Sequence, residues 1–546
     1  MSVAGGHKTS PAAAGTPTLR QRLDVYLTPS GLLLAAVVVL AMFAVTSAIR
    51  DPDFWWHLKA GQLILAKGGL LGTDPFTYTA ATHHWTMHEW LFEALTAAEF
   101  SAAGLGLVIL VLSAVTWAGL MLVALRARMR NPSRGALAAG ILLAAIAGYP
   151  IWGPRVQMLT FFFSAVTLFA LERYLTRGSR AIWLLVPMFL VWSNLHSGFV
   201  IGLGFIALVV IAEALAPYLG MPGPAPVRKL RPLLLLLLAC AAVSMINPNG
   251  PGILLYAFQT QTSAAQQSLI AEWHSPDFHQ LVLLPYGAML VSLLLLIAVN
   301  RRLSARDAAL VLATTALSLQ SVRHIALFIV AATPVWIDQL SLFVQGRRAA
   351  APRRRRAQPS FRFRATVLTV VMAALFGGYL GGRLLPTMAV QPNTLSYAEE
   401  FPVCAARWLE GATQPLRIFN QYGEGGYLAY TLSSRGDKVF IFGDAALMGD
   451  SLLYQYGDVE GVLPNWDSII EKSGTQVVLF DTNTPLANVM LQSPRWQKVY
   501  QDPLSIAFVR TGTAASLGLP PQPASYPAGD VCSQLKASNI NASSQQ

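Results

Sequence analysis

Two acidic residues follow the first long apolar run of the sequence, in the stretch DPDFWWHL at residues 51–58. Asp51 and Asp53 are separated by a proline, which favours an extended turn in its neighbour. A carboxylate that is partly removed from water has a raised pKa, and it can then act as a general base for a hydroxyl group. The pattern therefore predicts a catalytic pair, with Asp53 as the base and Asp51 as its neighbour or as a metal ligand.

Two arginines could supply positive charge to the same site. Arg155 and Arg323 both stand at the ends of otherwise apolar runs, and a guanidinium group can hold a phosphate through two hydrogen bonds. His324 could add a further donor or a proton. An arginine at a membrane boundary can also reach to the interface without any functional role, and for either arginine taken alone that interpretation is the better one.

Other polar residues near the ends of apolar runs are expected to line a cavity around the two acids. They are His57, His88, Glu89, Gln157, Asn194, His196, Asn247 and Glu272. His84 and His88 lie one helical turn apart and could bind a metal, but HEWLF has Phe92 where a helix-borne zinc protease needs its second histidine. A divalent metal is possible, and the sequence does not identify one.

The composition indicates a membrane protein. Of the 546 residues, 54% are apolar and 12% are charged, and the mean hydropathy of +0.48 is far above that of soluble proteins. The net charge of +12 would suggest a nucleic-acid partner in a soluble protein. Here the arginines cluster in short loops between apolar runs, as cytoplasmic loops do. We therefore expect a lipid bilayer and no nucleic acid.

The apolar runs are long enough for about eleven transmembrane helices. The predicted spans are 31–49, 104–125, 135–151, 157–175, 181–194, 199–217, 232–246, 284–299, 308–321, 325–342 and 365–384. Basic clusters such as RARMR at 126–130 all fall on one side, which the positive-inside rule makes the cytoplasm. The sequence thus predicts a multi-pass plasma-membrane protein with a cytoplasmic amino terminus, and the candidate site residues lie at the external face.

The chain divides into four predicted parts. Residues 1–30 are expected to be a disordered basic tail, and 31–385 a helical membrane domain whose first external loop is 50–103. Strand-like and helical runs alternate over 388–512, which predicts a small external α/β domain. Residues 513–546 are rich in Pro, Ser, Ala and Asn and are expected to be disordered. In the first external loop, DFWWHLKAGQLIL predicts a helix lying in the membrane interface.

The sequence has no P-loop and no dinucleotide-binding fingerprint. An external site must then use an energy-rich substrate that is already outside, and a lipid-linked sugar meets that requirement. As a set, DPDFWWHL, DPFTYT, HEWLFE, PRVQ, WSNLHSG, INPNG, EWHSPDF and SVRH resemble the polytopic bacterial glycosyltransferases of the GT-C superfamily, in particular those with an external C-terminal α/β domain. The resemblance covers roughly residues 30–512.

This resemblance implies a GT-C-like membrane all-α bundle with a small external α/β domain. Such enzymes take sugars from polyprenyl-phosphate carriers and keep an essential aspartate in the first external loop, a role that falls here on Asp53 or Asp51. The implied activity is sugar transfer to an external acceptor, which would be a glycolipid, a polysaccharide or a protein. Two alternatives stay open: a non-catalytic assembly or lipid-binding component, and a polysaccharide transporter or ligase on the same scaffold.

Overall fold

The computed structural model describes residues 28–221, 227–349, 361–389 and 397–535. Nearly all of the predicted tail at 1–30, and the end of the predicted tail at 513–546, lie outside the described residues. The described chain forms a helical bundle that is followed by a smaller domain built around a β-sheet. The predicted fold class is confirmed at this level.

Helices follow one another closely through the bundle, with connections that are mostly short. They are α1 (Pro29–Val45), α2 (Phe54–Lys67), α3 (Trp90–Arg128), α4 (Arg134–Ala147), α5 (Gln157–Arg177), α6 (Leu185–Leu195), α7 (Phe199–Leu215), α8 (Val227–Ser244), α9 (Gly252–Thr262), α10 (Ala264–Leu269), α11 (Leu284–Asn300), α12 (Ala305–Gln320), α13 (Ile325–Ala349), α14 (Phe361–Tyr379) and α15 (Leu385–Met388). Each predicted span falls on a helix. The helix α9 was not predicted, because its Gln and Thr residues interrupt the apolar pattern.

Five of the described helical segments are both long and apolar enough to cross a bilayer: Trp90–Arg128, Gln157–Arg177, Leu281–Asn300, Val322–Arg347 and Thr366–Met388. Four shorter apolar helices accompany them, at Ser30–Val45, Arg134–Ala147, Arg180–Leu195 and Phe199–Leu215. The bundle is therefore that of a membrane protein, and the number of its helices that cross the bilayer stays a prediction.

The helix α3 is divided by a kink where Ala103 and Gly104 leave helical geometry. Gly104 has a φ of +68°, a conformation that residues with a Cβ rarely adopt. The segment before the kink packs against α2, and the segment after it enters the bundle beside α5. This division matches the sequence, which predicted a helix in the first loop and a separate span beginning at 104.

Charged side chains join four helices at the end of the bundle away from Asp53. Arg130 Nη2 lies 2.8 Å from Asp307 Oδ1, and Arg306 Nη1 lies 2.9 Å from Glu213 Oε1. Glu172 lies near both arginines, at 3.3 Å from Arg130 and 3.4 Å from Arg306. These ion pairs hold the ends of α5, α7 and α12 beside α3. They therefore help to fix the positions of these helices at the opposite end of the bundle, where Asp53 lies.

The smaller domain has a five-stranded sheet in the order β2-β1-β3-β5-β4. Its strands are β1 (Arg417–Asn420), β2 (Lys438–Val439), β3 (Val477–Asp481), β4 (Trp496–Gln501) and β5 (Ser505–Arg510). The strand β1 pairs in parallel with β2 and β3, while β5 runs antiparallel to β3 and β4. Helices accompany the sheet: α16 (Val403–Glu410), α17 (Gly425–Leu432), α18 (Ala445–Met448), α19 (Asp450–Glu460), α20 (Trp466–Ser473), α21 (Pro485–Gln492) and α22 (Val531–Gln534).

Residues 513–535 follow a defined course over this domain, where composition had predicted disorder. A disulfide joins Cys404 to Cys532, and Trp408 Nε1 donates to the Pro520 carbonyl over 3.0 Å. Leu517 is buried. Proline and small polar residues give a segment little core of its own, but covalent and apolar anchors on a neighbouring surface can still order it.

The first loop of the bundle is built into the smaller domain. Val439 in β2 donates its amide to the Phe76 carbonyl over 3.0 Å and accepts from the Tyr78 amide over 3.2 Å. Thr77 therefore continues the sheet beyond β2. Phe76 is completely buried and packs edge-on against Phe442. The two parts of the protein thus share a core.

The helix α2 does not lie in the membrane interface, and that prediction is wrong. Phe54, Trp55 and Trp56 are all at most 3% exposed. Trp55 packs against Tyr397, Phe401, Tyr427 and Tyr430 of the smaller domain. An apolar helix face has the same sequence pattern whether lipid or protein covers it, so the pattern could not distinguish the two environments.

Candidate active site

The two candidate acids lie where the chain enters α2. The Asp53 amide donates to Asp51 Oδ1 over 3.1 Å, and Trp56 Nε1 donates to Asp53 Oδ1 over 3.0 Å. Among the described residues, Trp56 is the one hydrogen-bond donor to the Asp53 carboxyl group, so Oδ2 is the oxygen left for a substrate. Asp51 is buried and Asp53 is partly exposed. Of the two acids, Asp53 is therefore the one that a substrate can reach.

Arg155 is held between two carboxylates from distant parts of the sequence. Its Nε lies 3.4 Å from Asp51 Oδ2, and its Nη2 lies 2.6 Å from Glu272 Oε1. Gln157 Oε1 accepts from the same Nε over 3.1 Å. Four of the predicted site residues thus form one connected group.

Arg323 also acts on Glu272 of this group. Its Cζ lies 4.5 Å from the ring centroid of Trp273, a cation–π contact that orients the guanidinium group. Burial works against ionisation of Glu272, but Arg155 and Arg323 outweigh it and lower the pKa of that carboxyl. Two cations therefore face one carboxylate.

His324 contacts the Leu317 carbonyl and the ring of Trp273. Its Nδ1 donates to the Leu317 carbonyl over 3.2 Å. Its ring packs edge-on against Trp273, with the centroids 6.1 Å apart. These contacts favour a role in holding Trp273, whereas the sequence predicted a contact with phosphate.

Glu89 is the centre of a buried group of three histidines. His57 Nε2 lies 3.1 Å from Glu89 Oε2, while the Nε2 atoms of His88 and His196 lie 3.0 and 3.4 Å from Oε1. Burial opposes ionisation of Glu89, yet the histidines outweigh it and lower its pKa. The Nε2 atoms of all three rings therefore face the Glu89 carboxyl group.

The second ring nitrogen of each histidine also has a partner. His57 Nδ1 lies 3.2 Å from Glu93 Oε1. His196 Nδ1 accepts from the Gly198 amide over 2.7 Å, and His88 Nδ1 lies 3.3 Å from the Thr86 carbonyl. Burial lowers the pKa of both His57 and His196 to about 4, so both are neutral at neutral pH. His88 differs because Glu89 outweighs its burial and raises its pKa.

Asn194 and Asn247 were predicted to line the cavity. In the structure, both side chains form hydrogen bonds that link separate segments of the bundle. Asn194 Oδ1 accepts from Trp90 Nε1 over 2.9 Å, and its Nδ2 donates to the Ile246 carbonyl over 3.0 Å. Asn247 Nδ2 donates to the Ser193 carbonyl over 2.7 Å. These bonds join the start of α3 to the end of α6 and to the loop after α8.

The smaller domain contributes residues to the site that sequence reasoning missed. A Cβ placed on Gly443 would lie 1.5 Å from Asp53 Oδ1. Tyr422 Oη donates to the Gly443 carbonyl over 3.1 Å, and Asp444 Oδ2 accepts from Trp85 Nε1 over 2.8 Å. The available signal was the acidic residue that follows the buried run KVFIFG.

A small open cleft of about 30 Å³ adjoins Asp444 on the side of α9. Its lining residues are His84, Trp85, Thr86, Tyr256, Asp444, Ala446 and Leu447. The Tyr256 ring lies 4.4 Å from the His88 ring, centroid to centroid. The cleft therefore borders the histidine group around Glu89.

The two acids differ in how they hold a proton. Burial raises the pKa of Asp53 to about 8, and the neighbouring Asp51 adds to this rise. Burial also raises the pKa of Asp51, but Arg155 opposes it. Arg155 stays charged, because Glu272 and Asp51 outweigh its burial and raise its pKa. Asp51 is therefore the acid paired with Arg155, and Asp53 is the acid whose pKa lies near neutral pH.

The residues around Asp51 do not fit a divalent metal. The Arg155 guanidinium group lies between Asp51 and Glu272, where a cation shared by these carboxylates would have to lie. Within the described ranges, no group of three or more His, Cys, Asp or Glu side chains could hold a metal ion. We assign no step to a metal.

Comparison with protein-family models and with curated protein sequences gives no match. Solved structures do match. The oligosaccharyltransferase AglB from Archaeoglobus fulgidus, in complex with an inhibitory peptide and a dolichol-phosphate, aligns with a TM-score of 0.54 and 12% identity over 90% of this chain and 75% of its own.

The Archaeoglobus fulgidus oligosaccharyltransferase also aligns in its apo form, with a TM-score of 0.52 and 12% identity over 88% of this chain and 74% of its own. A structure of the same protein tethered to an acceptor peptide containing the NVT sequon has a TM-score of 0.50 at 13% identity, over 88% of this chain and 73% of its own. The protein described here has the fold of the GT-C membrane glycosyltransferases.

Proposed function

We propose that the protein transfers a sugar from a polyprenyl-phosphate carrier to an acceptor at the external face of the membrane. The proposed acceptor is a glycolipid, a polysaccharide or a protein. The observation that carries the proposal is the placement of a partly exposed acid, Asp53, beside a group in which Arg155 and Arg323 face Glu272. A base and an anion-binding pair in one place are what this reaction requires.

The reaction forms a bond between the acceptor oxygen and the anomeric carbon of the sugar. The bond between that carbon and the carrier phosphate breaks, and the polyprenyl phosphate leaves with the electron pair. Asp53 takes the proton of the acceptor hydroxyl through Oδ2. Arg155 and Arg323 stabilise the negative charge that develops on the leaving phosphate.

Asp51 and Glu272 have a supporting role in this scheme. They hold Arg155 from two sides, so its guanidinium group is oriented before a substrate binds. Preorganised charge of this kind stabilises a transition state without reorganisation at the moment of reaction. The buried group around Glu89 fixes the loop that carries it against α2, and so maintains the position of Asp53.

The fold supports the proposal. AglB, which shares it, was solved with a dolichol-phosphate, and the tethered structure holds an acceptor peptide. A lipid carrier and an external acceptor are therefore compatible with this architecture. The disulfide between Cys404 and Cys532 favours an external smaller domain, because disulfides persist in oxidising compartments. The basic clusters favour a cytoplasmic amino terminus.

A deletion strain tests the proposal. Loss of a transferase leaves its donor unused, so mass spectrometry should find more polyprenyl-phosphate sugar and less of one surface glycan. Wild-type protein supplied in trans should reverse both changes. A transporter or an assembly component would remove the glycan without enlarging the pool of the lipid-linked donor, and that result would contradict the proposal.

A further inference from the structure

We propose that Gly443 positions the catalytic acid Asp53, so that the smaller domain is a working part of the active site. This inference rests on the proposed function. It assigns to Gly443 a role that depends on the lack of a side chain, and it predicts that the sugar-transfer step needs the loop that follows β2.

The space beside Gly443 is filled by Asp53 and its hydrogen-bond donor. A Cβ at this position would lie 1.5 Å from Asp53 Oδ1 and 3.2 Å from Trp56 Nε1. These are the acceptor and the donor of the bond that fixes the carboxyl group. Gly443 therefore packs against that bond directly, and any larger residue would displace the carboxylate.

The Gly443 loop is itself held from two directions. Tyr422 Oη donates to the Gly443 carbonyl from within the smaller domain. Asp444 accepts from Trp85 of the first loop and from the Leu447 amide at the start of α18. The loop therefore cannot move away from Asp53 at low cost.

This packing decides which oxygen of Asp53 meets the substrate. Oδ1 is covered by Trp56 and Gly443, so Oδ2 is the oxygen left for the acceptor. The charged and titratable groups around the carboxyl are Asp51, Arg155 and Glu272 from the bundle and Tyr422 from the smaller domain.

Gly443→Ala tests the inference, and Gly423→Ala is its matched control. A Cβ on Gly423 would meet only Pro52 Cβ, at 3.8 Å, which is an ordinary contact. Lipid extract from membranes of the deletion strain supplies the donor, and the envelope fraction of that strain supplies the acceptor. We expect Gly443→Ala to lower kcat by about 100-fold, because small displacements of a reacting group cost this much. KM for the donor and the melting temperature should stay near wild-type values.

The same substitution in an Asp53→Asn background separates positioning from general damage. If Gly443 acts through Asp53, Gly443→Ala should cause no further loss there. Equal losses in both backgrounds, or wild-type activity in the single variant, would overturn the inference. No transfer by the wild-type protein would instead overturn the proposed function.

Tyr422→Phe keeps the experiment decisive if Gly443→Ala does not fold. It removes the hydrogen bond to the Gly443 carbonyl without adding an atom. One lost hydrogen bond of about 1 kcal/mol corresponds to about a fivefold lower kcat, again only where Asp53 is present. The same loss with Asn at position 53 would overturn the role of the loop.

Discussion

Nη2 of Arg155 lies 2.6 Å from Oε1 of Glu272, although the two residues are 117 positions apart in the sequence. The same guanidinium group contacts Asp51. One arginine thus ties the end of the first span to the loop that precedes α11. Arg155 can also present its remaining N–H groups to a phosphate. Substitution of Arg155 should therefore affect use of the phosphate-linked donor.

Arg155→Lys keeps the charge but loses the planar fork, so it cannot hold two carboxylates and a phosphate together. We expect donor use to fall by about 10-fold or more, while the protein still folds and inserts. The measurement is the amount of polyprenyl-phosphate sugar in cells, which should rise as the glycan product declines. Arg323→Lys should act in the same direction. Arg302→Lys, at an exposed position, is the control and should leave the donor pool unchanged.

Asp53→Asn removes the proposed base with almost no change of shape. Loss of a general base typically lowers kcat by about 10²–10⁴-fold, and the variant should keep its melting temperature in detergent. Asp51→Asn should cost less, because Asp51 acts through Arg155. Asp277→Asn is a control at an acid whose side chain is 52% exposed. Full complementation by Asp53→Asn would favour the non-catalytic alternative.

The pKa of Asp53, raised to about 8 by burial and by Asp51, predicts the pH dependence of transfer. A base acts when it is deprotonated, so kcat should rise through pH 8 and level off above about pH 9. Asp51→Asn removes one negative neighbour and should move this transition to lower pH. A pH–rate profile of the two proteins checks both statements. A transition at the same pH in both would show that Asp53 is not the titrating group.

His57 and His196 predict an acid-sensitive fold. Burial lowers the pKa of each to about 4, below the value of about 6.5 in an unfolded chain. The unfolded state therefore binds protons first as the pH falls. The free energy of unfolding should decrease between pH 6.5 and pH 4. The pKa of His88 is raised above its value in the unfolded chain, so His88 affects the free energy of unfolding above pH 6.5 and not between pH 6.5 and pH 4.

Thermal unfolding in detergent at several pH values measures this dependence. His57→Gln keeps a hydrogen-bond donor near Glu89 but does not titrate, so it should flatten the decrease. His279→Gln, at a side chain that is 99% exposed, should not change the slope. An equally steep decrease in the His57 variant would contradict the assignment.

The sidedness of the chain is open to direct measurement. A reporter fused after Arg356, in a segment outside the described residues, should behave as cytoplasmic because basic clusters stay inside. A reporter fused after Leu535 should behave as external. The same behaviour for both fusions would show that the smaller domain is on the other side.

The sequence predicted the bundle helices well, because a long apolar run in a membrane protein has few alternatives to a helix. It also predicted that Asp51, Arg155 and Glu272 belong to one site, since charged residues at the ends of apolar runs seldom lack a partner. It did not predict Gly443 or Tyr422. Glycine carries no chemical group, and its importance here depends on a contact with a residue far away in the chain.

The predicted position of α2 failed for a related reason. Its aromatic residues suit a lipid surface and a protein core equally well, and the difference lies in Tyr427 and its neighbours on the smaller domain. Contacts between distant segments leave no pattern in either segment alone. Residues that act through packing are therefore missed more readily than residues that carry charge.

The contact of Trp85 with Asp444 joins residues that are 359 positions apart, and this separation orders events during biosynthesis. A chain is made from its amino terminus, so the acids of the first loop emerge from the ribosome long before the loop that covers them. The ring closed by Cys404 and Cys532 is completed later still. A partly translated chain therefore contains Asp51 and Asp53 but lacks the Gly443 loop that packs against Asp53. In the proposed transferase, the site is therefore complete only after the smaller domain has been translated, so a partly made chain should not consume the donor lipid.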